Sequence, residues 1–440
     1  MRGTPRSLRV FQVRGLHPVE RPILEARRAE LQFVGRDREL AALHRALHRL
    51  SAGRGGIVFV LGEAGIGKTR LVQEAQVRYK SANGCLGPGD GIFGTRDQDR
   101  ASIDPTWVIV RSQCGRPQTP FSLIVRLLHE DLRLAQTDPI IKKRIALKKK
   151  LSGLIQPIDQ GQMTKLELFL NRGTSENRRP PVRGMAVESY FDARLKIQPL
   201  VLVFEDLHKA DEESLSWIGR LFALTDRAPL LLILTSRYHR RHLSWALKLK
   251  AETEFAYRYK EINLGPLAGK HTGVLVRQSL DGVSSSAIAQ KKLPYLSGGN
   301  PYFLEELVNW YLREEKNNSS IPHLEELSDG CVDIPPTLLG ILLARFDRLE
   351  LPSRKVLQAA AVIGVRFSQP MLRQVLPLGD GLYRALAALL RAELIDEITC
   401  SQGKEYQFRH PLMRIAICSM LIRGERERLQ ERVVEACESN

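Results

Sequence analysis

Residues 62–69 read Gly62-Glu63-Ala64-Gly65-Ile66-Gly67-Lys68-Thr69 and fit GxxxxGK[ST] at every fixed position. The apolar run IVFVLG at 57–62 precedes this stretch, and TRLVQEAQVRYK follows it. The context predicts a buried strand, a glycine-rich turn and a helix, the setting in which the motif carries chemistry. Glycines let backbone N–H groups curl around phosphate without Cβ clashes. Lys68 is placed to reach β- and γ-phosphates, and the Thr69 hydroxyl to ligand Mg²⁺. The helix opening near Lys68, with Arg70 in its first turn, adds its positive end to the anion site.

Further apolar runs follow. WVIV at 107–110, PLVLVFED at 199–206 and PLLLILTSR at 229–237 are predicted strands. FVGRDRELAALHRALHRL at 33–50, FSLIVRLLHEDL at 121–132 and SLSWIGRLFALT at 214–225 are predicted helices, the first with Leu40, Leu43, Leu47 and Leu50 at helical spacing. Strands separated by helices imply a parallel sheet covered on both faces. From about residue 264 helical patterns dominate, through 266–314 and 336–363. LYRALAALLRAELIDE and KEYQFRHPL then give a helix followed by a two-strand wing. The fold class expected is α/β: a P-loop NTPase parallel sheet, then an all-α lid and a winged-helix domain.

VLVFED at 201–206 ends in two acids. Carboxylates at a buried strand end are costly unless a metal or partner uses them. Glu205 takes the position that usually holds Mg²⁺-linked water, and Asp206 that of a residue polarising the attacking water. The plainer alternative is a strand-to-helix cap made by Asp206 or Asp211. Arg237 ends the next strand and can sense a γ-phosphate; a solvated strand-end arginine is the plainer reading.

The chain has 440 residues, with 66 Lys+Arg against 49 Asp+Glu, a net charge of +17. That charge favours acidic partners such as nucleotides or nucleic acid, without choosing among them. Arg2, Arg6, Arg9 and Arg14 lie in a stretch without acids, and KKRIALKKK at 142–150 carries six bases. Each reads as a solvated face or tail, and no aromatic residue interleaves the second. Cys85, Cys114, Cys331, Cys400, Cys418 and Cys437 form no CxxC pair, so neither zinc nor a disulfide framework is suggested. No apolar run approaches the roughly 20 residues of a membrane span. An N-terminus without an apolar signal core leaves the cytoplasm as the expected location, with a faint likeness to a mitochondrial presequence.

FVGRDREL, GEAGIGKTRL, LVFEDLHKADEESL, TSR, GGNPYFLEEL, IPPTLLGILLARFDRL, LQAAAVIGVRF and YQFRHPLMR occur in this order. Together they resemble the ATPase core of STAND-class, AAA-related regulators. The branch is that found behind adenylyl cyclase domains in soluble cyclases and in large bacterial transcription regulators. The resemblance covers about residues 8–432. It implies that Val34, Gly35 and Arg36 pack near the adenine, and that Pro301 packs on the base. It also implies that His410 touches the ADP β-phosphate. A loop proline and a core histidine are the alternatives for the last two. VLVFED at 201–206 has the form of the family's Walker B strand; the family usually has Trp after the His that follows it, but Lys209 follows His208 here.

The organisation expected is a leader at 1–32 and an ATPase domain at 33–263 with insertions near 81–104 and 133–182. A lid at 264–330 and a winged helix at 331–425 follow, then the start of a truncated helical region at 426–440. A short strand at 8–13 and a helix at 23–30 are expected within the leader. The function implied is an ATP/ADP–Mg²⁺ switch with slow hydrolysis, acting on other protein domains or a cyclase-type partner. No cyclase domain is expected in this chain, since little sequence precedes residue 33. The alternative is a nucleic-acid-binding ATPase of the replication-initiator or transcription-regulator kind.

Overall fold

The computed structural model describes residues 32–82, 104–112, 120–153, 160–170, 185–238, 242–280, 287–316, 335–376, 378–379, 381–400 and 403–438. The leader's expected strand and helix, and nearly all of the glycine-rich stretch at 81–104, lie outside these residues. The described chain forms two compact units. One is Phe33–Leu267 with Asn300–Tyr302; the other contains Ala268–Gly299 and Phe303–Asn440.

The first unit is built on five parallel strands: β1 (Gly56–Gly62), β2 (Thr106–Arg111), β3 (Leu200–Glu205), β4 (Leu230–Ser236) and β5 (Tyr259–Leu264). Their order across the sheet is β2-β3-β4-β1-β5. Residues of β1, β3 and β4 are buried from end to end. Apolar runs without polar alternation require a layer on each face, and the core divides accordingly. Ile57, Phe59 and Leu61 point to one face with Leu202, Phe204, Leu232 and Leu234. Val58 and Val60 point to the other with Val201, Val203 and Ile233.

Helices α1 (Asp37–Ser51) and α2 (Lys68–Ala82) cover the second face. Leu40, Leu43, Leu47 and Leu50 of α1 are all buried, each worth about 1.5–3 kcal/mol of apolar transfer. Asp37 and Glu39 in its first turn and His48 and Arg49 in its last complement the helix dipole. The first face is covered by α3 (Ser122–Asp131), α4 (Ile140–Ser152), α5 (Gln160–Leu170), α6 (Met185–Leu195), α7 (Glu212–Leu221) and α8 (Leu243–Glu254). The basic run at 142–150 lies in α4. Lys142 pairs with Asp138 and Arg144 with Glu167, while buried Lys143 donates to the Gln136 and Leu170 carbonyls.

In the second unit are α9 (Gly269–Ser279), α10 (Ala287–Leu296) and most of α11 (Pro301–Lys316). Helices α12 (Pro336–Phe346), α13 (Leu351–Ile363), α14 (Gln369–Val375) and α15 (Gly381–Arg391) follow. An antiparallel hairpin, β7 (Ile395–Cys400) with β8 (Gly403–Phe408), comes next, and β6 (Arg366–Ser368) pairs with β8. Phe367 and Tyr406 stack across that pairing. Helices followed by a small antiparallel wing are the winged-helix order. The unit ends in α16 (Pro411–Met420) and α17 (Arg423–Glu438). Among the described residues no helix is long and apolar enough to cross a membrane.

Candidate nucleotide-binding site

The parallel sheet brings the carboxyl ends of β1, β3 and β4 together, the place where open α/β sheets collect ligands. β1 ends at Gly62, where an added Cβ would meet Ile66 Cγ2 at 2.8 Å and the Leu264 carbonyl at 2.9 Å. Gly65 and Gly67 take φ of +78° and +99°, the left-handed region that glycine enters freely. Helix α2 starts at Lys68, so the N–H groups of its first turn lack intrahelical acceptors. Thr69 and Arg70 lie in that turn, and Arg70 leans along the helix to Glu74 at 3.7 Å.

Lys68 is buried and donates to the carbonyls of Gly62 and Glu63 at 2.9 and 2.7 Å. Burial pushes its ammonium pKa down to about 8; Asp206 opposes that shift and the Arg237 charge adds to it. Glu205, at the end of β3, is buried. It stands opposite Arg111 in the β2–β3 register. Arg111 Nε and Nη2 lie 2.8 and 2.7 Å from Glu205 Oε2, and Nη2 also reaches Thr69 Oγ1 at 3.4 Å. A carboxylate and a hydroxyl therefore already converge on one cationic point.

That donor set fits Mg²⁺, which takes hard oxygen ligands and is often held by one or two protein groups plus substrate phosphates. Among the described residues no cluster of three or more His, Cys, Asp or Glu could hold a metal without such help.

Asp206 takes a left-handed conformation, φ +58°. Its N–H donates to Thr235 Oγ1 at 3.1 Å and its carboxylate accepts from Lys209 at 2.9 Å. Partial burial opposes ionisation, yet Lys209 outweighs it and the pKa falls. His208 beside it is driven down to about 3 by burial and then by the Arg237 charge, so it is neutral. Asp206 makes no side-chain cap to the following turn. Asp211 is the cap: it accepts from Ser214 N at the start of α7, and from Phe121 N and Ser122 Oγ at the start of α3. The alternative offered by the sequence thus belongs to Asp211 and not to Asp206.

Val34, Gly35 and Arg36 enter α1 from the outside, with Gly35 at φ +73°. Arg36 is buried; it donates to the Gly265 carbonyl just past β5 and pairs with Glu39 at 3.4 Å. Pro301 opens α11. Its neighbours hold the loop: Asn300 Nδ2 donates to the Ala64 carbonyl at 3.0 Å and Tyr302 N to the Gly65 carbonyl at 3.3 Å. His410 lies in the other unit, buried before α16. Its ring meets Phe303 edge-on at 5.3 Å, and a Cβ on Gly298 would approach Nδ1 to 3.0 Å. Sequence reasoning missed Arg111 and Asn300. Register cannot be read from sequence alone, and no motif spacing singles out Asn300 beside Pro301.

Residues 32–233 match the family model of the AAA ATPase domain. An uncharacterized protein of Rhizobium meliloti (strain 1021) is 26% identical over 422 residues, covering 93% of this chain and 37% of that protein. The chain therefore spans little more than a third of that relative. Among solved structures, the ORC2 protein of Aeropyrum pernix is similar over 93% of this chain and 95% of its own, at 15% identity and a TM-score of 0.47. A STAND protein with a tetratricopeptide repeat sensor from Pyrococcus horikoshii aligns over 93% of this chain and 46% of its own, at 16% identity and a TM-score of 0.32. The P-loop and the acids ending β3 both fall within residues 32–233, the stretch similar to the AAA ATPase domain.

Proposed function

We propose that this chain is an ATP/ADP switch of the signal-transduction kind, binding adenine nucleotide with Mg²⁺ and hydrolysing it slowly. One observation carries the reading: Asp206, the acid that would orient the attacking water, is held by the Lys209 ammonium at 2.9 Å. A fast hydrolase gains nothing from neutralising its general base.

In this reading the loop N–H groups and Lys68 bind the phosphates, and Thr69 and Glu205 hold the metal. Mg²⁺ would supply neutralisation of charge on the β- and γ-oxygens. Asp206 orients the attacking water, and Arg237 reports the γ-phosphate. Val34, Gly35, Arg36 and Pro301 flank the base, and His410 acts as a latch on the ADP β-phosphate. ADP favours a closed arrangement and ATP an open one, the two-state logic of γ-phosphate switches. The output would pass to other protein domains or a cyclase-type partner.

The test is hydrogen exchange across α9–α16 with ADP and with a non-hydrolysable ATP analogue. The switch requires protection that differs between the two; identical patterns would refute it.

A second reading, nucleic-acid binding, draws on the net charge and on the outer face of α15, where Tyr383 and Arg384 are exposed beside Arg373. It requires DNA affinity that falls steeply with salt. A flat salt dependence removes it.

A further inference from the structure

We infer that Arg111 is an internal competitor of the divalent cation: its guanidinium and the metal contend for Glu205 and Thr69. The inference rests on reading those two residues as a metal–nucleotide site. It adds a residue that the P-loop and Walker B motifs do not contain.

The geometry carries it. Arg111 closes β2 directly opposite Glu205, so the parallel register itself delivers the guanidinium to the carboxylate. Nε and Nη2 both address Oε2, at 2.8 and 2.7 Å, and Nη2 lies 3.4 Å from Thr69 Oγ1. A metal drawn to the same two oxygens would need the lone pairs that the guanidinium occupies. Two cations on those oxygens would also repel one another.

Exposure decides which partner moves. The Glu205 side chain is 5% exposed and that of Arg111 is 56% exposed. The carboxylate is fixed in the fold, whereas the arginine reaches in from solvent and can swing out. A buried carboxylate without a partner is costly, so Glu205 always needs a cation. Arg111 supplies one when metal is scarce, and the metal must displace it. Thr69 alone would give a weak hydroxyl ligand, so the contest over Oε2 sets metal affinity.

The test is metal binding and not turnover. Mn²⁺, which takes the same oxygen ligands and is read directly by electron paramagnetic resonance, is titrated into protein saturated with ADP. Wild type, Arg111→Gln and Arg111→Lys are compared. Removing a partly exposed ion pair should lower the half-saturating Mn²⁺ concentration about two- to fivefold in Arg111→Gln. Arg111→Lys keeps the charge but loses one donor and should fall between, which also covers any folding defect in the Gln variant. Failure of the wild type to bind ADP would defeat the nucleotide reading itself. ADP binding with the same Mn²⁺ half-saturation in all three proteins would overturn the role of Arg111 alone, leaving it a structural ion pair.

Discussion

Lys209 Nζ lies 2.9 Å from Asp206 Oδ2, tying the second acid of the β3 terminus to a cation three residues on. The contact withdraws from Asp206 the basicity that orienting water requires. Lys209→Met should therefore raise single-turnover ATP hydrolysis about two- to fivefold, as expected for releasing a partly exposed ion pair. A rate at or below wild type would show that Lys209 does not restrain Asp206.

Asp211 offers a contrast, since its carboxylate serves structure. It accepts from Phe121 N, Ser122 Oγ, Ser214 N and Ser214 Oγ at 2.8–2.9 Å and joins the starts of α3 and α7. Asp211→Ala should cost about 2–4 kcal/mol in urea unfolding, through the lost cap and stranded donors. Nucleotide affinity at a temperature where the variant stays folded should be unchanged. A stability loss under 1 kcal/mol on the same scale would contradict the assignment.

Gly65 is constrained twice. Its φ is +78°, and an added Cβ would lie 2.6 Å from Tyr302 Cβ. Gly65→Ala should weaken ADP binding about tenfold or more, from strain of about 1–3 kcal/mol. The Tyr302 amide, which donates to the Gly65 carbonyl, should exchange faster. An unaltered Tyr302 exchange rate would mean that the 300–302 segment is not coupled to the loop.

The pKa of Lys68, held down to about 8 chiefly by burial, gives a pH prediction. The lysine is charged below that value and loses its charge as pH rises through it, whereas phosphate binds the charged form. ADP affinity should therefore decline above about pH 8, by up to about tenfold per unit, with proton uptake on binding. Calorimetry in buffers of different ionisation enthalpy measures that uptake. Zero uptake at pH 9 would contradict it.

Much of the first unit could be read from sequence because β1, β3 and β4 are continuous apolar runs with only one way to be buried. β5 went unread since YKEINL buries only Ile262 and Leu264 at the sheet edge. Three-residue β6 is too short to carry a pattern. In the site, spacing alone placed Lys68 and Thr69 in one turn. Arg111 was invisible because its meeting with Glu205 depends on register between strands about 90 residues apart. Its role follows from pairing in space.

The proposed switch requires Lys68 to anchor an adenine nucleotide in the loop at 62–69. The most direct measurement is equilibrium titration of ATP with Mg²⁺ into wild type and Lys68→Ala. Loss of a charged donor to phosphate predicts binding in the wild type and an affinity about a hundredfold weaker, or undetectable, in the variant. Equal affinity in the two proteins would contradict that role for Lys68.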